Sequence, residues 1–234
     1  MSIRYCIPMM AASLWAQEPP VVTPGAAGQA PSDAVRLFDG KSMDGWVTRK
    51  GEPARCDVRG GEMICRSGVG DVMTKEPHGA AQIHVEFQLP AMPDQKGQMR
   101  SNSGVYLHGR YEIQVLDSLN NPTYTNGMAG AVYGQHVPLA NPSAGPGKWQ
   151  SYDIVFHPPL CDATRQVVKP GSITLLFNGV LVQDHVPVMQ STGGAVTANV
   201  CEPGPLLLQD HSGFKDAPLT ELRYRNIWMR PLSR

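Results

Sequence analysis

Ser101-Asn102-Ser103-Gly104-Val105-Tyr106-Leu107-His108-Gly109-Arg110-Tyr111-Glu112-Ile113-Gln114-Val115-Leu116-Asp117 is the stretch whose reading decides the fold. Apolar and polar residues alternate through it with a period of two, as in a strand whose two faces meet different surroundings. If His108-Gly109-Arg110 is a three-residue hairpin loop, Leu107 faces Tyr111, Tyr106 faces Glu112, Val105 faces Ile113 and Gly104 faces Gln114. One continuous strand sorts the residues in the same way, whereas a two-residue turn scrambles them. Either way Val105, Leu107, Ile113 and Val115 share a face that belongs in a core. Tyr106, Glu112 and Gln114 share the other, where a phenol, a carboxyl and an amide suit sugar hydroxyls and ring faces. A solvated sheet face carries residues of the same kinds.

Outward from this stretch the chain reads as many short strands punctuated by Gly, Pro and Asn. Strands are predicted at 45–48, 55–59, 63–66, 71–74, 81–89, 104–107, 111–116, 130–133, 150–157, 172–177, 180–186, 206–209 and 221–230. No amphipathic helical period interrupts them, so the predicted class is an all-β antiparallel jelly-roll sandwich rather than a parallel α/β sheet. The 234 residues suit one such domain. Lys plus Arg and Asp plus Glu balance at 20 each, which leaves no basic field for nucleic acid or anionic lipid. No apolar run reaches the length of a transmembrane helix.

Residues 1–16 resemble a short export signal, with Arg4 ahead of an apolar stretch ending at Ala16. Residues 17–34 (QEPPVVTPGAAGQAPSDA) read as a flexible linker, which starts the folded domain at Val35 and runs it to Arg234. Removing the signal leaves Cys56, Cys65, Cys161 and Cys201, for which three pairings exist. Gly60-Gly61 forms a two-residue hairpin turn, which sets Val58 opposite Met63 and Cys56 opposite Cys65. A disulfide and a pair of buried thiols both satisfy that register.

Retaining glycosidases of the sandwich type need two carboxyls about 5 Å apart, commonly on one strand. Here Glu112 is followed in phase by Gln114 and Leu116, and Asp117 is out of phase unless a bulge rescues it. The strand therefore disfavours a two-carboxylate mechanism. Three further groups of residues carry candidate chemistry. Leu206–Gly213 (LLLQDHSG) ends an apolar strand in Gln209, Asp210 and His211, where an Asp–His pair can serve as an oriented base, a metal site or a loop hydrogen bond. Tyr133 and His136 stand on a loop rim suited to sugar. Arg100 and Asn102 sit at the entry to the central strand. His78, His84, His157 and His185 have no chemical neighbours in the sequence and read as structural.

Taken in order, several segments resemble the 3-keto-disaccharide hydrolase family. They are Leu37–Lys41 with Asp44-Gly45-Trp46, Gly70–Lys75, Ser101–Leu107 running into Tyr111–Ser118, Gly130–Tyr133, Lys148-Trp149, Phe177-Asn178-Gly179, Leu208–His211 and Tyr224–Ile227. The resemblance spans Leu37 to Leu232, and departs from the family where Cys56 and Pro77–Ala81 replace aromatics. It implies a concanavalin-like sandwich that cleaves glycosides bearing a ketone at position 3, by hydrolysis or by elimination and hydration. A ketone acidifies the neighbouring C–H, so such a site needs a base, an enolate stabiliser and a proton donor. On that footing Glu112 or His211 is the base, with Asp210 beside it. Arg100, Asn102, Gln114 or a divalent ion holds oxygens, and Tyr106, Tyr133, His136 and Gln209 contact the sugar. The alternative is a carbohydrate-binding sandwich without turnover.

Overall fold

In a computed structural model, residues 18–188, 190–213 and 216–232 are described. The proposed signal segment lies outside them. The strands, in chain order, are β1 Val35–Phe38, β2 Trp46–Thr48, β3 Asp57–Arg59, β4 Glu62–Arg66, β5 Val72–Thr74, β6 Ala81–Gln88, β7 Ser103–Leu107 and β8 Tyr111–Val115. They continue as β9 Trp149–His157, β10 Leu160–Cys161, β11 Val167–Lys169, β12 Gly171–Phe177, β13 Val180–Val188, β14 Leu207–Leu208 and β15 Glu221–Pro231.

Two antiparallel sheets face each other, which is the jelly-roll sandwich expected. The larger runs β13-β12-β9-β6-β15-β4-β3, with β1 pairing the far half of β15; the smaller runs β2-β5-β14-β7-β8. The β10–β11 hairpin stands apart. Core residues come from alternate positions of both sheets. Ile83, Val85 and Phe87 of β6 and Tyr152, Ile154 and Phe156 of β9 meet Val105, Leu107, Ile113 and Val115 of β7 and β8. Along β9 buried and half-buried residues alternate strictly, as a strand with one wet face must. β7 and β8 are buried at every position, on both faces. That second covering defines the site.

The register of β7 and β8 is the one expected for the three-residue loop, with Leu107 opposite Tyr111, Tyr106 opposite Glu112 and Gly104 opposite Gln114. The Gly60-Gly61 turn also forms, with Val58 opposite Met63 and both glycines at positive φ, 62° and 82°. Cys56 and Cys65 are joined, and a second disulfide joins Cys161 to Cys201 across 40 residues.

Five elements differ from expectation. Residues 130–133 form isolated bridges along β8 rather than a strand, because Gly130 turns the chain at a φ of 80° and Val132 is bonded by the turn to His136. The expected strand at 206–209 shortens to Leu207–Leu208. β1, β10 and β11 lack a strong alternating pattern and were not predicted. Gly28, in the segment expected as linker, has its carbonyl held by Asn226 Nδ2 at 2.7 Å and Trp228 Nε1 at 3.0 Å.

Candidate active site

The polar face of β7 and β8 lies beneath loops rather than in bulk water. It opens into a cavity of about 490 Å3 lined by Gln98, Met99, Asn102, Tyr106, Glu112, Gln114, Tyr133, Gly193, Gly194, Gln209 and His211. Four chain segments build the walls. A one-turn 3-10 helix at Gly97–Met99 supplies Gln98 and Met99. The segment at 130–133 is held along the β8 edge by Gln114 N–H to Ala131 O and Tyr133 N–H to Glu112 O, both 3.0 Å, and it supplies Tyr133. The 190–196 loop is tied to the hairpin tip by Thr192 N–H to Arg110 O at 2.8 Å and Val196 N–H to Gly109 O at 2.9 Å. Thr192 Oγ1 also accepts from Glu112 N–H at 3.2 Å, which brings Gly193 and Gly194 over the sheet. The end of β14 carries Gln209 and His211.

Glu112 is at the centre. Tyr106 Oη lies 2.9 Å from Glu112 Oε2 and 2.9 Å from the Gly193 carbonyl, and Gln209 Nε2 donates to Tyr106 Oη at 3.1 Å. Burial pushes the Glu112 carboxyl up to about 8, a rise opposed by the Tyr106 hydrogen bond and assisted by the charge of Asp71. Burial also raises the Tyr106 phenol, which keeps it protonated. His211 shifts the other way: burial lowers its basicity, against the pull of Asp210. Gly104 makes room for this arrangement, since a Cβ there would stand 2.6 Å from Glu112 Oε1 and 2.8 Å from Tyr106 Cε2. Among the described residues no group of three or more His, Cys, Asp or Glu is arranged to hold a metal ion.

Glu112, His211, Asn102, Tyr106, Gln114, Tyr133 and Gln209 thus line one cavity. Three expected site residues do not line it. Arg100 is half-buried and paired with the buried Asp117, with Nε 2.9 Å from Oδ2, and also donates to the Leu119 carbonyl. Asp117 is therefore a partner for Arg100 and not a second cavity carboxylate. His136 Nε2 lies 2.7 Å from the Pro187 carbonyl, which ties its loop to β13. Asp210 Oδ2 accepts from Gly68 N–H at 2.8 Å and Gly70 N–H at 2.9 Å, so it anchors a neighbouring turn. Gln98, Met99, Gly193 and Gly194 were missed, because nothing in the local pattern of a glycine-rich or polar loop says which sheet it covers.

The model of the 3-keto-alpha-glucoside-1,2-lyase-like domain matches residues 33–230 of the chain. Among solved structures, a candidate glycosyl hydrolase from Parabacteroides distasonis ATCC 8503 is similar over 99% of this chain and 100% of its own, with 38% identity and a TM-score of 0.84. A second candidate glycosyl hydrolase from the same organism shares the fold at 18% identity and a TM-score of 0.60, over 86% of this chain and 94% of its own. A third does so at 17% identity and 0.55, over 85% and 99%. No curated protein matches the chain.

Proposed function

Since the chain belongs to the family of 3-keto-alpha-glucoside-1,2-lyase-like domains, we propose that it cleaves glycosides whose sugar carries a ketone at position 3. The proton next to the ketone is removed, and the glycosidic oxygen leaves from the adjacent carbon by elimination, with hydration completing a net hydrolysis. The observation that carries this reading is the make-up of the cavity. Among the described residues that line it, Glu112 is the one carboxyl and His211 the one imidazole. Cleavage of an ordinary glycoside by two carboxyls needs a partner about 5 Å away for retention, or about 6.5–9.5 Å for inversion. Asp71 is the nearby carboxylate that acts on Glu112, and it is engaged by Arg49 at 2.5 Å and by Asp210 N–H at 2.7 Å. An acidified C–H removes the need for such a pair, because one acid and one base suffice.

The lining also suits a sugar. The Tyr133 hydroxyl and the Gln209 and Asn102 amides supply polar contacts for hydroxyls and for the ketone oxygen. Export of the chain is part of the same proposal, supported by two disulfides, which form and persist in oxidising compartments. The test is incubation with matched ordinary and 3-keto disaccharides, with products followed by mass. Cleavage of the 3-keto substrate alone is expected, and its loss in a Glu112→Ala, His211→Ala double variant. Full activity in that variant sinks the site, and glycan binding without turnover sinks the enzyme reading.

A further inference from the structure

We infer that Glu112 enters the reaction as a neutral acid and His211 as the base, with the amides of Gln98 and Gln114 positioned to keep the proton on Glu112. This rests on the reading of the cavity as a 3-keto-glycoside site.

A chain of amides runs to Glu112 from a fixed point. Gln98 Nε2 donates to the Gly127 carbonyl at 2.9 Å and to Thr123 Oγ1 at 2.9 Å. The Gln98 oxygen therefore points the other way, where it accepts from Gln114 Nε2 at 2.8 Å and Asn102 Nδ2 at 3.2 Å. That leaves the Gln114 oxygen 3.0 Å from Glu112 Oε1. Two bare acceptors at that distance repel, whereas a carboxyl proton on Oε1 makes the contact a hydrogen bond. Turning Gln114 over would let it donate to Glu112 and to the Ser103 carbonyl, but it would set its oxygen 2.8 Å from Gln98 Oε1. Turning Gln98 as well would aim its oxygen at the Gly127 carbonyl, which is backbone and cannot turn. The neutral form wins at the cost of one close approach, Gln114 oxygen to Ser103 carbonyl at 3.0 Å.

The other carboxyl oxygen, Oε2, faces Tyr106. Tyr106 has one hydroxyl hydrogen and two acceptors at 2.9 Å, Glu112 Oε2 and the Gly193 carbonyl. Given to Glu112, that hydrogen favours the ionised carboxyl and offsets part of the effect of burial, and the Gly193 carbonyl competes for it. Among the described residues, the titratable and charged groups around Glu112 are Tyr106, Tyr124, Tyr133, Asp71 and His211, with Arg49 behind them. Arg49 is engaged by Asp71 and the Gly194 carbonyl, so among the described residues no unengaged cation stands beside Glu112 to favour its ionised form. Burial acts in the same sense on both partners, raising Glu112 to about 8 and lowering His211.

The steps balance. His211 takes the proton from the carbon between the ketone and the anomeric centre, and the C–H electron pair becomes the enolate. As the ketone re-forms, a double bond to the anomeric carbon is made and the glycosidic bond breaks. The departing oxygen takes the Glu112 proton and leaves as an alcohol. Water then adds to the anomeric carbon, giving a proton to the Glu112 carboxylate, while the His211 imidazolium returns its proton to the neighbouring carbon. Both residues regain their starting states.

The experiment pairs a 3-keto-disaccharide with a 4-nitrophenyl 3-keto-glucoside, whose leaving group needs no acid. Glu112→Gln is expected to slow the disaccharide by about 100-fold or more and the nitrophenyl glycoside by less than about tenfold, while still exchanging the proton next to the ketone in D2O. His211→Ala is expected to lose that exchange and both cleavages. Exchange lost by Glu112→Gln and kept by His211→Ala overturns the assignment, as do equal losses on both leaving groups. Carbon-13 NMR of the Glu112 carboxyl reads the proton directly in the intact protein. A protonated signal at pH 6.5 is expected, and an ionised one overturns the inference. Gln98→Ala frees Gln114 to turn and donate, so the titration midpoint should fall by about a unit, and adding Gln114→Met should raise it again. An unchanged midpoint removes the amide pair from the proposal. If the wild type cleaves neither 3-keto substrate, the parent function fails, while the NMR titration still decides where the proton sits.

Discussion

Replacing Glu112 with Gln removes a titration from the interior, and the effect on stability has a definite sign. Below about pH 4.5 the carboxyl is neutral in both the folded and the unfolded chain, so Glu112 imposes no ionic penalty. Between 4.5 and about 8 the unfolded chain gives up a proton that the folded one keeps. The native state then loses about 1.4 kcal/mol per pH unit, and the loss stops near 8 when the folded carboxyl also ionises. Over the shift from 4.5 to about 8 the total is about 5 kcal/mol at most. Gln has no such titration, and its amide can donate to the Gln114 oxygen as the carboxyl proton does. Urea unfolding with the disulfides intact, at pH 5, 6.5 and 8, should show Glu112→Gln close to wild type at pH 5 and progressively more stable than wild type by pH 8. A difference that stays flat across this range, or grows in the opposite direction, refutes the reasoning.

Gly104→Ala forces a Cβ to within 2.6 Å of Glu112 Oε1, so it should cost about 1–3 kcal/mol in denaturant unfolding and reduce kcat by moving the carboxyl. Arg100→Ala leaves Asp117 buried without its partner, so a loss of about 3 kcal/mol is expected with KM little changed; a large rise in KM would return Arg100 to the substrate site. Removing the Cys161–Cys201 bond, whose ends are 40 residues apart, should destabilise by about 4 kcal/mol, against about 2.5 kcal/mol for Cys56–Cys65 at a separation of 9. Paired Cys→Ser variants in thermal and urea unfolding check both the size and the order.

Much of the architecture was legible because it depends on neighbours in sequence. The period of two in β7 and β8 placed Val105 and Ile113 in the core and Tyr106, Glu112 and Gln114 on the opposite face, and the ladder has that register. The Gly60-Gly61 turn set Cys56 opposite Cys65 in the same way. Arg100, His136 and Asp210 were polar residues near the right strands, but their partners decided their roles. Arg100 forms an ion pair with Asp117, His136 contacts the Pro187 carbonyl, and Asp210 accepts from the Gly68 and Gly70 amides. No local pattern records such a partner, because the partner comes from another loop.

The sequence by itself determined most of the strands, their facing and the register that sets Cys56 opposite Cys65, since the pleat and the tight turn act over a few residues. Only the tertiary structure decided that the polar face of β7 and β8 is a buried cavity and not a wetted surface. Its walls come from the loops carrying Gln98, Tyr133 and Gly193, and the Tyr106–Gly193 contact spans 87 residues. Strand phase says which way a side chain points. What covers it, and hence whether Glu112 is an ordinary carboxylate or an acid held neutral to about pH 8, depends on burial that only the assembled sandwich supplies.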